Sequence, residues 1–357
     1  MEVNKTYKIL TVLLLMQWAA IKFIAQFPEL IEKYYSLGLY YYLSKLFRIL
    51  LGWIPFSFGD LLYGILILYL IYQIIVGIRR RKFHFKNLFF KFGALLSVVY
   101  FLFHLNWGLN YYRQPVIEHF NKSKSGYTVK QLIAFTNDLV QKSNEVHNSI
   151  SEHDSLIIDY SLDKIELKRI APKAYEKLQK KHPQFRYVNP SIKHSLFSIP
   201  LTYMGFAGYL NPLTNEAQIN SLIPVNSYPS TLCHEMAHQI GIASESEANF
   251  VGFLATTNAS DPYFNYSGYT MALRYCINEI YKYDKNSLDA IMEKLNKGII
   301  KDFRRSQEFW QSYQNKSEKH FKNAYDSYLK ANNQKDGIKS YSNIVTLLLR
   351  YSETNPI

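Results

Sequence analysis

Residues 231–249 read Thr-Leu-Cys-His-Glu-Met-Ala-His-Gln-Ile-Gly-Ile-Ala-Ser-Glu-Ser-Glu-Ala-Asn. Inside this stretch, His234 to His238 form an HExxH motif. On a helix, residues i and i+4 share a face, so His234 and His238 can reach one metal ion together. Imidazole nitrogen binds Zn2+ at about 2.0–2.1 Å, and a catalytic zinc keeps one position open for water. Glu235 stands beside that position and is the expected general base on the zinc-activated water. Ser230 or Thr231 can cap such a helix, and Gly241 follows the second histidine as its natural stop.

A zinc site needs a third protein ligand. Gly241 lets the chain turn, and Ser244-Glu245-Ser246-Glu247 then has the form of a capping box, with Ser244 as N-cap and Glu247 three residues on. The box gives Glu247 a structural duty and leaves Glu245 free. Glu245 and Asn249 share a helix face from which Glu247 points away. Glu245 is therefore the expected third ligand. Asn249 is the expected neighbour that orients a ligating histidine by hydrogen bonding.

Upstream, the chain is of a different character. The 357 residues carry 41 Lys plus Arg against 28 Asp plus Glu, a net charge of +13 that could suggest nucleic acid. The densest basic run, Arg79, Arg80, Arg81, Lys82 and Lys86, lies instead between two apolar stretches. Stretches at about 9–27, 61–78 and 88–109 are apolar enough for transmembrane helices. Under the positive-inside rule, the basic run lies in the cytoplasm. The N-terminus then lies inside and everything after Arg113 outside. Charge is thus a topology signal, and no nucleic-acid partner is expected. Between the first two spans, Tyr40, Tyr41, Tyr42, Trp53 and Phe56 suit the membrane interface. Two cysteines, Cys233 and Cys276, are too few for a disulfide framework or a multi-cysteine zinc module. No glycine-rich phosphate loop is present.

The division expected is residues 1–112 as a membrane domain and 113–357 as an extracytoplasmic domain. The second is mainly helical. Apolar spacing predicts helices over 128–150 and 164–181. Residues 198–209 and 216–223 read as strands joined by the turn Asn211-Pro212-Leu213-Thr214-Asn215. Glu216 to Asn220 is the expected edge strand, along which an extended peptide could add. After Ser230 the chain reads as helical, broken near 258–262, 284–286 and 334–337.

The HExxH motif followed by Glu245-x-x-Ala248-Asn249 resembles the gluzincin peptidases, whose third ligand is the glutamate of an E-x-x-[AS]-[DN] motif. The wider segments resemble DUF3810 more closely, a bacterial membrane family of unknown function predicted to be zinc metallopeptidases. They are residues 233–239 and 245–250, Asn106 to Tyr111, Glu216 to Asn220, and Lys335 to Tyr341. The resemblance covers nearly the whole chain. It implies a zincin-like (gluzincin) α+β domain behind three transmembrane helices, in the bacterial inner membrane.

An acyl-transfer site also needs a donor for the oxyanion. Tyr341 leads the candidates because it falls in the family-like stretch; Tyr328, His320 and Arg274 follow. The expected function is a membrane-anchored zinc metallopeptidase acting on a protein or peptide substrate, with the lipid bilayer as its other partner. The alternative is a non-catalytic zinc-containing membrane scaffold or permease component, for which Glu235 would have no use.

Overall fold

A computed structural model describes residues 4–79, 85–120, 126–337 and 343–355. The chain opens with α1 (Lys5–Ile24), which Asn4 caps. One turn, α2 (Pro28–Leu30), runs through a π-helical stretch (Ile31–Leu39) into α3 (Tyr40–Gly52). Then come α4 (Phe58–Arg79) and α5 (Phe85–Asn106). Among the described residues, Lys5–Ile24, Phe58–Gly77 and Phe85–Asn106 are long and apolar enough to cross a membrane, which suggests membrane association. The predicted spans fall on these helices with shifted ends. The third stops at Asn106, because Gly108–Tyr112 winds into a 3-10 helix. Arg80, Arg81 and Lys82 lie outside the described residues.

α1 and α5 pack tightly where Gly93 meets Thr11. A Cβ at Gly93 would stand 2.6 Å from the Thr11 methyl, and the Thr11 hydroxyl donates to Phe90 O at 3.1 Å. Small residues that admit close backbone approach are the usual device for pairing helices in lipid.

The remaining helices are α6 (Val129–Ile150), α7 (Lys164–Lys181), α8 (Ser198–Met204), α9 (Tyr228–Gln239), α10 (Glu245–Thr257), α11 (Pro262–Ile280), α12 (Lys285–Glu293), α13 (Lys297–Ser312), α14 (Glu318–Ala331) and α15 (Ile344–Ser352). Thr128 with Gln131, and Asp163 with Glu166, form complete capping boxes for α6 and α7, so these two begin where the sequence puts them. A small sheet holds β1 (Ile192–His194), β2 (Gly208–Leu210) and β3 (Ala217–Ile219) in the order β1-β3-β2.

Two expectations for this region are corrected. Residues 198–209 are not a strand: α8 occupies most of them. The Ser198 hydroxyl bonds to Ser195 O and the Thr202 hydroxyl to Ser198 O. Gly205, at φ +78°, then ends the helix. Residues 216–220 are not an edge strand either. β3 is central, parallel to β1 on one side and antiparallel to β2 on the other. Within this sheet the strand toward α9 with an open edge is β2.

The segment between the first two spans is wired into the rest of the fold. Tyr40, expected at the membrane interface, is buried, and its hydroxyl donates toward Gln239 O at 3.2 Å and accepts from Asn215 at 2.8 Å. Trp53, Tyr42 and Phe56 remain exposed. Glu216 receives Phe58 N at 3.2 Å and Gly59 N at 2.6 Å, so its carboxylate caps the positive end of α4. Asp60 accepts from Ser195, Leu196 N and Tyr209, and Lys193 donates to Gly52 O and Ile54 O. Glu32 grips the Arg113 guanidinium through two bonds, at 2.6 and 2.7 Å.

Candidate metal centre

The site is built on α9 and α10. These two helices cross closely because α10 has Gly252 at the contact, where a Cβ would stand 3.1 Å from His234 N. α9 is bolted down by Gln239, which donates to Ser191 O and Asn215 O and accepts from the Tyr187 hydroxyl at 2.6 Å. The Tyr175 hydroxyl holds Cys233 O at 2.6 Å. Cys233 and Cys276 are both buried and free.

The end of α9 follows from Gly241. With φ +88°, it lets Ile242 N return to Ala237 O at 3.2 Å and Gly241 N to His238 O at 2.9 Å, the paired bonds of a Schellman stop. That turn delivers the Ile242 carbonyl to His238 Nδ1 at 2.6 Å. With Nδ1–H donating there, a neutral His238 presents a bare Nε2 lone pair to the site. A side chain at Gly241 would also meet Tyr40 and Asn110, both at 3.1 Å. Gly241→Ala is therefore expected to cost about 1–2 kcal/mol from the left-handed backbone alone. Metal affinity should fall with it, since the Ile242 carbonyl moves. A thermal melt and a zinc titration of the variant check both.

His238 Nε2 lies 3.1 Å from His234 Nε2, and Glu245 Oε2 lies 3.2 Å from His234 Nε2 and 3.6 Å from His238 Nε2. A tetrahedral zinc with bonds of about 2.0–2.2 Å has ligand–ligand edges of about 3.3–3.6 Å. The triangle therefore has the dimensions of one face of such a polyhedron. The other Glu245 oxygen, Oε1, accepts the Tyr325 hydroxyl from α14 at 2.6 Å, which leaves Oε2 turned toward the imidazoles. His234 Nδ1 is buried and has no hydrogen-bond partner among the described residues. Three ligand atoms of the right type converge at these distances and fit a divalent metal in place of the protons they would otherwise share.

Charge behaves accordingly. Burial pushes the Glu245 carboxyl up, but the two imidazoles outweigh it and hold Glu245 well below the usual carboxylate range. Burial pulls His238 down, and Glu245 more than reverses this, raising it to about 9. Glu235 goes the other way: burial raises it, against the opposing pull of His234 and His238.

Glu235 is buried beside the two histidines, with the ligand atoms of all three within 4.8 Å of one another. Its Oε2 has no hydrogen-bond partner among the described residues. Gly208 on β2 makes room for it, since a Cβ there would stand 2.7 Å from Glu235 Oε1. Asn249 is a correction. It is buried beside the site but donates to the Tyr275 hydroxyl at 3.2 Å, and neither imidazole receives its amide. At His238, the position for such a bond is taken by the Ile242 carbonyl. Ser244 stands at the N-cap of α10 but makes no capping bond, because its hydroxyl pairs with Ser246. Glu247 accepts Val116 N at 2.8 Å, away from the triangle.

Of the oxyanion candidates, Tyr341 lies outside the described residues. Arg274 stacks over Phe303, and His320 is exposed on α14. Tyr328 is nearer the site: it stacks on Tyr325 and shares a hydrogen bond of 3.1 Å with the Tyr111 hydroxyl. Tyr325, Tyr40 and the Ile242 carbonyl had no local sequence signal. Trp107, the residue after α5, packs edge-on against His238, with ring centroids 5.8 Å apart.

Fold and site together define a mainly helical, membrane-associated protein with a convergent His-His-Glu triangle and a buried glutamate beside it. The chain matches the DUF3810 family, a protein of unknown function, over residues 35–349, and it belongs to that family. No curated protein and no solved structure matches it.

Proposed function

We propose that this chain is a membrane-anchored zinc metallopeptidase of the gluzincin type, with a zincin-like domain that hydrolyses peptide bonds in protein or peptide substrates. The observation that carries this is the triangle of His234 Nε2, His238 Nε2 and Glu245 Oε2 with edges of 3.1–3.6 Å. Zinc held by these three residues would supply Lewis acidity toward the peptide carbonyl and activate water near neutral pH.

The chain's own residues supply the rest. The Ile242 carbonyl holds the His238 ring in the tautomer that can ligate, and Tyr325 turns Glu245 so that one oxygen faces the imidazoles. Glu235, with an unpartnered Oε2, takes a proton from the attacking water and returns it to the departing amine. Its place beside the triangle favours catalysis over a structural zinc in a scaffold, which would close its fourth position and need no base.

Where the helices end supports the orientation in this reading. α4 begins at Glu216 and α5 ends at Trp107, so both membrane helices meet the site on one side. The far ends of α4 and α5, at Arg79 and Phe85, then lie on the other side. The basic residues between 79 and 86 favour the cytoplasm for that side and the outside for the site, in a bacterial inner membrane. The test is cleavage of an unstructured protein by the full-length chain in lipid vesicles. Cleavage should stop when a chelator strips the metal and return with added zinc. Cleavage that persists after complete stripping would end the metallopeptidase reading.

A further inference from the structure

Between His194 and Glu216 the chain has no charged residue. α8 and its lead-in fill much of this stretch, and the residues they expose are apolar: Leu196, Ile199 and Tyr203 are 57%, 62% and 48% exposed. Ile199 and Tyr203, four residues apart, share one face of α8, and Leu196 lies in the turn that leads into it. Tyr313 packs edge-on against Tyr203, with ring centroids 5.3 Å apart, yet all three side chains keep about half or more of their surface open, and the height of the face is set by α4. Leu196 N bonds to Asp60 at the start of α4. The Phe197 ring reaches Gly64, 3.9 Å from where a Cβ there would stand. Gly64 is six residues into the membrane-crossing Phe58–Gly77 helix, about 9 Å along it. α8 is thus held beside the first turns of a membrane span.

We propose that the Leu196, Ile199 and Tyr203 face of α8 is embedded in the phospholipid bilayer, so that α8 is a fourth membrane contact forming the rim of the candidate site. An apolar face lying in the interface plane, with an aromatic residue at its edge, is the usual form of a monotopic contact. The rim is close to the chemistry. Four residues beyond α8, Gly208 lies against Glu235. Phe206 packs on Tyr325, at 5.1 Å between ring centroids, and Tyr325 holds Glu245. Tyr328 on the same helix packs on Phe103 of α5. Resting on the peptidase reading, this makes polypeptide at the membrane surface the substrate class rather than peptide free in solution.

The experiment concerns the lipid contact alone, so its outcome is independent of zinc. Single cysteines at Ile199→Cys, at Leu68→Cys within α4 and at Ser149→Cys on the exposed face of α6 are labelled with bimane in the full-length chain. The buried Cys233 and Cys276 serve as the unlabelled background. The chains are placed in vesicles of phosphatidylcholine with brominated acyl chains. The label at 199 should lose at least half as much fluorescence as the label at 68 and resist aqueous iodide, while the label at 149 shows the reverse. Tyr203→Cys gives the same readout if Ile199→Cys fails to fold. Labels at 199 and 203 that are quenched by iodide and untouched by bromine would overturn the proposal.

Discussion

Glu235→Gln in the full-length chain should keep its zinc and lose hydrolysis by about 10²–10⁴-fold, the usual contribution of a positioned general base. The substitution is nearly isosteric, so the Gly208 gap that admits the side chain stays filled. It also removes a buried carboxyl that burial already disfavours as an anion, so stability should hold or rise slightly. Metal content is expected to stay unchanged, because the triangle is made by His234, His238 and Glu245 without it. Steady-state cleavage and elemental analysis on the same sample separate the two effects. A variant as active as the parent would remove Glu235 from the chemistry and shift weight toward a scaffold.

The second large effect concerns residues before Arg113. A chain beginning there should fail to show a cooperative melt and should retain no zinc. It loses Tyr40, whose hydroxyl reaches Gln239 O at the end of α9 and holds Asn215. It strips Arg113 of Glu32, and Glu216 of the α4 amides it caps. Lys193 loses both its carbonyl partners. Each buried polar group left without a partner costs about 1–3 kcal/mol, more when charged, and several at once exceed the 5–15 kcal/mol that holds a typical domain. A chain starting at residue 28 keeps all these partners and should melt cooperatively in detergent. A zinc-loaded, cooperatively melting fragment from Arg113 would show that the membrane-side segment is dispensable.

Much of the triangle was legible because it depends on local helical geometry. His234 and His238 are one turn apart, and Glu245 opens the next helix after a single glycine-led turn. The three spans were legible from hydropathy, although their ends were set by features that hydropathy does not weigh, such as the Asn4 cap and the 3-10 helix after Asn106. What the sequence did not disclose came from distant chain. Tyr325 is 80 residues from Glu245 and Tyr40 is 199 from Gln239, with no motif linking either pair. Asn249 shares a helix face with Glu245 as its spacing implied, but a face does not choose a partner, and Tyr275 was nearer. In the same way, the β-prone run at Ile199 to Tyr203 became a helix once hydroxyl bonds and the Gly205 stop favoured it. Context overrides propensity most easily in such short segments.

The central claim is that His234, His238 and Glu245 hold a zinc ion. Elemental analysis of the purified full-length chain, with Glu245→Ala and Glu247→Ala beside it, tests this most directly. The prediction is about one zinc per chain, lost in Glu245→Ala and kept in Glu247→Ala. A folded parent chain without zinc, or one that loses it only with Glu247→Ala, would contradict it.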